Sequence, residues 1–250
     1  MKLTEKEQKA RKRVCLALDV PTVDEALSLT GELSDYVRMY KIGKELHTAA
    51  CNEGIPIIKK ISDRKGAVFL DLKLHDTPNT VYGAAKASAV PGVSFFNIHV
   101  AGGKEMCKKA IEGAYEGAQA NRIERPKVIG VTVLTSLNDD DLKIQDLGIG
   151  YDDLVMKRTE LAKRWGLDGI VCPAKKAGGL EKEFGSDFMY VTPGIKWAGV
   201  QREGQKQLYT PDKAVQDCSN SILVIGGAIT KAEDKKATAY EILKAMAQYL

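Results

Sequence analysis

No stretch of this chain is apolar for long enough to cross a bilayer. No apolar core follows the basic residues near its start, so neither a membrane span nor a secretory leader is expected. Histidine is scarce, with three in 250 residues (His47, His75, His99), and the five cysteines (Cys15, Cys51, Cys107, Cys172, Cys218) are odd in number and lack paired spacing. That argues against a metal site or a disulfide framework. Cys15 and Cys172 fall inside apolar runs and read as small buried hydrophobes of a reducing compartment, so a cytoplasmic location is expected. A large charge surplus is also missing. The net +4 resides wholly in the first thirteen residues, where Lys2, Lys6, Lys9, Arg11, Lys12 and Arg13 outnumber Glu5 and Glu7. The body then balances, which gives no basis for nucleic-acid binding. Residues 1–13 are expected to form a solvated leading helix rather than a binding arm. With no linker, low-complexity tract or repeat to divide it, the chain is expected to form one domain over residues 1–250.

What the sequence does have is alternation. Eight short apolar runs read as strands: "VCLALDV" (14–20), "YVRMYKIG" (36–43), "AVFLDLKL" (67–74), "VSFFNIHV" (93–100), "KVIGVTVL" (127–134), "GIVCPA" (169–174), "MYVTPGI" (189–195) and "SILVIGGAI" (221–229). Helical patterns separate them, among them Thr22–Leu33, Asn79–Val90, Lys104–Ala120, Asp152–Trp165 and Ala232–Leu250. Strands that alternate with helices imply a parallel sheet. Eight such units in a chain of this length predict a closed (β/α)8 barrel. The other arrangement, an open doubly wound sheet, lacks support because the first strand ends in "LDVPT" rather than in a glycine-rich turn.

Barrels of this kind carry their chemistry at the C-terminal ends of the strands. Asp19, Lys41, Asp71 with Lys73, His99 and Thr135 are expected at the ends of the first five strands, and "TPGIK" and "VIGGAI" at the last two. The third strand asks the sharpest question, because "VFLDLKLHDTPNTV" sets Asp71, Lys73 and Asp76 where an apolar core should continue. Side chains alternate along a strand, so Phe69, Asp71 and Lys73 share the inward face while Leu70, Leu72 and Leu74 turn toward the helices. A buried structural salt bridge is one explanation, but such pairs are costly to desolvate. A lysine bracketed by two carboxylates, with Asp19 and Lys41 at neighbouring strand ends, reads better as a catalytic array. His99, between Ile98 and Val100, is expected to be a packed, hydrogen-bonded core group.

The segment "DLKLHDTPNTV" resembles the signature of the orotidine 5′-phosphate decarboxylase family, and "LALD", "KIGKEL", "HVAGG", "VTVLTS", "GLDGIVCPA", "VTPGIK" and "QKQLYTP" follow the same family in order from Val14 onward. The resemblance implies decarboxylation of orotidine 5′-phosphate to uridine 5′-phosphate, with neither metal nor organic cofactor. It implies Lys73 as proton donor, Asp71 beside the substrate carboxylate, Lys41 in an alternating Lys–Asp–Lys–Asp network that reaches the ribose, and Asp19 as acceptor for a ribose hydroxyl. Thr135 matches the hydroxyl that contacts the pyrimidine. Asp76, Thr77 and Thr80 match residues that enter the neighbouring subunit's site, which implies a homodimer with shared sites. The substrate phosphate is expected on Lys196, the Gln205 side chain and the backbone N–H groups of Gly226 and Gly227.

Two positions depart from the family pattern, which has arginine where this chain has Lys196 and again where it has Gly227. The second loss removes a bidentate phosphate clamp, for which a neighbour such as Arg202 could compensate. Two other functions therefore stay open from sequence: a Mg2+-dependent phosphosugar decarboxylase or aldolase on the same barrel, which shares the D-x-K-x-x-D core, and a nucleotide-binding protein with impaired turnover.

Overall fold

The apolar runs fold as short parallel strands because both of their faces find cover. In a computed structural model that describes residues 2–197 and 209–250, the strands are β1 (Val14–Ala17), β2 (Met39–Gly43), β3 (Ala67–Leu74), β4 (Val93–His99), β5 (Lys127–Val131), β6 (Gly169–Val171), β7 (Met189–Thr192) and β8 (Ser221–Ile225). Each pairs in parallel with the next, and β8 pairs with β1, so the sheet closes as an eight-stranded barrel with helices outside, as expected. The helices are α1 (Glu5–Arg13), α2 (Val23–Glu32), α3 (Lys44–Asn52), α4 (Ile57–Asp63), α5 (Pro78–Ser88), α6 (Gly103–Asn121), α7 (Asp139–Ile144), α8 (Tyr151–Arg164), α9 (Ala174–Phe184), α10 (Pro211–Asp217), α11 (Gly227–Thr230) and α12 (Lys235–Ala247).

Strand alternation divides the apolar side chains into two cores. Cys15, Ala17, Phe69, Phe95, Ile129, Met189, Val191, Ile222 and Val224 fill the lumen, where the Phe69 and Phe95 rings stack with centroids 4.4 Å apart. The alternate residues, Leu16, Ile42, Leu70, Phe96, Ile98, Val128, Ile170 and Leu223 among them, pack outward against the helices. The middle of the lumen is therefore apolar, and Lys41, Asp71 and Asn97 lie above it, toward the C-terminal strand ends.

Two features of helix packing frame the barrel. Helix α6 lies close on α5, since a Cβ added at Gly113 or Gly117 would come within 2.3 Å of the carbonyl oxygens of Tyr82 and Lys86. Helix α1 is not simply solvated. A capping box of Thr4 and Glu7 starts it, Ala10 is fully buried, and Arg13 donates to the Ser221 carbonyl at 2.9 Å and to that of Cys218. The terminal guanidinium thus serves carbonyls at the turn into β8, which is why a segment so basic is docked rather than free.

Several strands end earlier than the sequence suggests. β1 stops at Ala17 and β5 at Val131, so Asp19 and Thr135 stand on the loops that follow rather than on the strands. Beyond the strand ends the Leu18 N–H still donates to the Lys41 carbonyl at 3.0 Å, and Leu18 and Val133 both remain buried.

Candidate active site

Where the apolar lumen ends, a cavity of about 530 Å³ opens at the C-terminal mouth, a size suited to a small molecule. Its walls include Asp19, Lys41, Phe69, Asp71, Lys73, Thr135, Lys196, Gly226, Gly227 and Lys231. The fold thus gathers eight of the expected residues around one space: Asp19, Lys41, Asp71, Lys73, Thr135, Lys196, Gly226 and Gly227.

The charged side chains form a chain of contacts. Lys41 Nζ donates to Asp19 Oδ1 at 2.7 Å and lies 3.3 Å from Asp71 Oδ2, while Lys73 Nζ donates to Asp71 Oδ1 at 2.7 Å. The expected bracket is therefore inverted: within one chain it is Asp71 that sits between two lysines. Asp76 makes no ion pair with Lys73 and instead accepts the Thr77 N–H at 2.6 Å. The reason is local geometry, because Asp76 lies past the end of β3, where the chain turns into α5 behind Pro78.

Burial and charge compete in this array. Burial alone would lower Lys41 and raise Asp71. The carboxylates around Lys41 and the lysines and Asn97 around Asp71 outweigh it, so Lys41 ends above its ordinary pKa and Asp71 below its own. Both are held charged, almost out of contact with water, at 8% exposure each.

Sequence reasoning passed over Asn97. This side chain is 1% exposed, donates from Nδ2 to Asp71 Oδ1 at 2.7 Å, and accepts the Lys73 N–H on Oδ1 at 2.7 Å. Its signal was present in "VSFFNIHV", where a lone carboxamide interrupts an apolar strand on the face shared with Phe95 and His99.

Asp76, Thr77 and Thr80 do not line the cavity of their own chain. All three are exposed, with the Thr77 and Thr80 hydroxyls 3.0 Å apart at the start of α5. Gln205, and Arg202 beside it, lie outside the described residues. His99 differs from its expected state. It is half-buried with its ring 5.2 Å from that of His75, and no side-chain hydrogen bond of His99 occurs among the described residues. Burial, with help from His75, Lys73, Arg158 and Lys44, depresses its pKa from 6.5 to about 4. Among the described residues no three His, Cys, Asp or Glu side chains converge as metal ligands would.

Comparison with known proteins adds to this geometry. The model of the orotidine 5′-phosphate decarboxylase / HUMPS family matches residues 12–242. Among named relatives, the orotidine 5′-phosphate decarboxylase of Lactobacillus acidophilus is 39% identical over 233 residues, covering 92% of this chain and 97% of that protein. The enzyme of the same name from Moorella thermoacetica is 40% identical over 235 residues, covering 93% of this chain and 91% of its own. The crystal structure of the Lactobacillus acidophilus decarboxylase superimposes with a TM-score of 0.81 at 35% identity, over 93% of this chain and 98% of that one.

Proposed function

Because the chain belongs to the orotidine 5′-phosphate decarboxylase / HUMPS family, we propose that it is an enzyme of pyrimidine nucleotide synthesis that converts orotidine 5′-phosphate to uridine 5′-phosphate and CO2. The observation that carries this reading is the Asp19–Lys41–Asp71–Lys73 array at the rim of an otherwise apolar lumen. Relatives that are decarboxylases by name favour this reaction over phosphosugar chemistry on the same barrel.

The C6–carboxyl bond of the orotate ring breaks and its electron pair stays on C6. CO2 departs, and C6 takes a proton from the Lys73 ammonium, which solvent later restores. The ring offers no obvious sink for the pair, so the site must stabilise the charge from outside. Lys73 does so as a cation fixed beforehand by Asp71, and a donor that need not reorganise during the reaction is worth most in a dry site. Asp71 stands next to the departing carboxylate and keeps Lys41 and Lys73 aimed. Lys41 and Asp19 hold the ribose hydroxyls, and Thr135 contacts the pyrimidine. At the far rim Lys196, the backbone N–H groups of Gly226 and Gly227, and Gln205 take the phosphate. No metal or organic cofactor takes part.

The same reading makes the protein a homodimer. Asp76, Thr77 and Thr80 are exposed and stand outside their own cavity, as residues destined for a neighbour's site would. A cytoplasmic location fits the free cysteines, four of them buried. Among the described residues no helix is long and apolar enough to cross a membrane.

The test is the loss of orotate absorbance on mixing protein with orotidine 5′-phosphate, with and without chelator. Equal turnover in both, with uridine 5′-phosphate as product, is the expected result. Uridine 5′-phosphate binding with no loss of absorbance would refute the enzymatic reading, and turnover that chelator abolishes would refute the cofactor-free one.

A further inference from the structure

Lys73 has a backbone that its residue type does not favour. Its φ is +52°, in the left-handed region, where a residue other than glycine is held only by its surroundings. The register shows where. Leu70 pairs with Phe96 and Leu74 with Ile98, so Asp71, Leu72 and Lys73 together stand opposite the single residue Asn97. The ladder is interrupted over the two residues that carry the chemistry, and the Asn97 side chain spans the interruption.

The two bonds of Asn97 demand opposite properties. The Lys73 N–H needs an acceptor, and the Asp71 carboxylate needs a donor, both at 2.7 Å. That requirement fixes the orientation of the carboxamide, since the flipped form would set an oxygen against a carboxylate and an NH2 against an N–H. A hydroxyl is too short to reach both partners as a fork, and an ionised carboxylate can only accept. The site is dry, so an unmet partner carries its full cost. Asp71 Oδ1 receives Asn97 and the Lys73 ammonium together. The carboxamide therefore touches the reacting lysine at two places: at its backbone and, through Asp71, at its side-chain nitrogen.

We propose that Asn97 is a positioning residue of the reaction: one carboxamide holds the left-handed turn of Lys73 and the rotation of the Asp71 carboxylate at the same time, and so aims the Lys73 ammonium at the reacting carbon. This rests on the decarboxylase reading. Asn97 need not touch substrate. Its effect belongs on turnover rather than on nucleotide binding, because the groups it sets are those of the chemical step.

The experiment compares wild type, Asn97→Ala and Asn97→Asp in three measurements: kcat and KM on orotidine 5′-phosphate, uridine 5′-phosphate binding by calorimetry, and thermal unfolding. Displacement of a reacting group by about 1 Å costs on the order of 10²-fold. Asn97→Ala is therefore expected to lose about that much in kcat while product affinity changes less than threefold. Asn97→Asp keeps the shape and the acceptor for Lys73, but repels Asp71 until it is protonated. Its turnover relative to wild type at the same pH is expected to recover as pH falls, a signature that lost packing would not give. A folded Asn97→Ala with kcat within threefold of wild type would overturn the proposal. So would an Asn97→Asp to wild-type ratio that stays flat with pH, which also serves if the alanine variant fails to fold. Absence of turnover in wild type would instead overturn the decarboxylase reading itself.

Discussion

In a Lys73→Ala variant, Asp71 loses one of three donors and keeps two, Asn97 Nδ2 at 2.7 Å and Lys41 Nζ at 3.3 Å. Its carboxylate therefore stays paired. The removed ammonium is also the more exposed partner, with its side chain 30% accessible against 11% for Asp71. Loss of a charge-assisted bond, discounted for that exposure and for relief of the repulsion between Lys41 and Lys73, amounts to about 1 kcal/mol of stability. For a chain of this size that lowers the melting temperature by about 2–4 °C. The chemistry loses far more. A proton donor is worth about 10²–10⁴-fold and a preorganised charge about 10²–10³-fold. Together they give a fall in kcat of about 10⁴–10⁷-fold, or about 5–10 kcal/mol of barrier. Asp71→Ala is the contrast. It leaves Lys73 unpaired and Lys41 with Asp19 alone, and breaking a buried pair in this way costs about 3–5 kcal/mol. Orotate absorbance read beside thermal melts separates the two. Lys73→Ala should be folded and inactive, and Asp71→Ala inactive and much less stable. If Lys73→Ala keeps more than a few per cent of wild-type activity, or melts as low as Asp71→Ala, the assignment of Lys73 fails.

Mixing inactive Lys73→Ala with inactive Asp76→Ala subunits should restore activity, because one site of each heterodimer draws both residues from unmutated positions; proven subunit exchange without activity would place Asp76 in its own chain's site. Gly227→Arg has room, since among the described residues the three atoms nearest a Cβ there belong to the Lys231 side chain, at 3.6 Å or more. A restored guanidinium contact of roughly 1.5–3 kcal/mol should raise kcat/KM about ten- to over a hundredfold for orotidine 5′-phosphate. A substrate without phosphate should show no change, and equal effects on both would refute the phosphate assignment. His99 gives a pH signature. Unfolded, it binds a proton near pH 6.5, and folded only near about 4, so the stability it confers is complete above 6.5 and is lost as pH falls toward 4. Melting temperatures should therefore drop more steeply over that window in wild type than in His99→Gln, and parallel slopes would show that the ring is not held neutral.

The barrel was legible because its strands are buried on both faces and so read as continuous apolar runs, with breaks at charged residues that mark the mouth. Short helices such as α4 and α7 have too few turns to show a period in the sequence. The expected ends of β1 and β5 lie beyond the observed ones because the apolar runs continue through the buried Leu18 and Val133, and a sequence records burial rather than strand geometry. Lys41, Asp71 and Lys73 stood out as charges in apolar strands. Asn97 did not, because its meaning depends on a register shift between β3 and β4 that exists only once the two strands pair. The docking of α1 was hidden for a similar reason: the carbonyls that Arg13 serves lie more than two hundred residues away in the chain.

The packed lumen has a consequence for traffic. Phe69, Phe95, Ile129, Met189 and Ile222 fill the barrel below the charged array and give the cavity an apolar floor. On the decarboxylase reading, substrate, CO2 and nucleotide product use the mouth at the C-terminal strand ends, and so does the proton that recharges Lys73. A cover over that mouth would delay departure as much as it guards the chemistry. On the same reading CO2, small and uncharged, slips out past a nucleotide that its phosphate still anchors, whereas the nucleotide waits for that anchor to let go. The phosphate end of the cavity, away from the bond that breaks, would then bear on how soon the next molecule can enter.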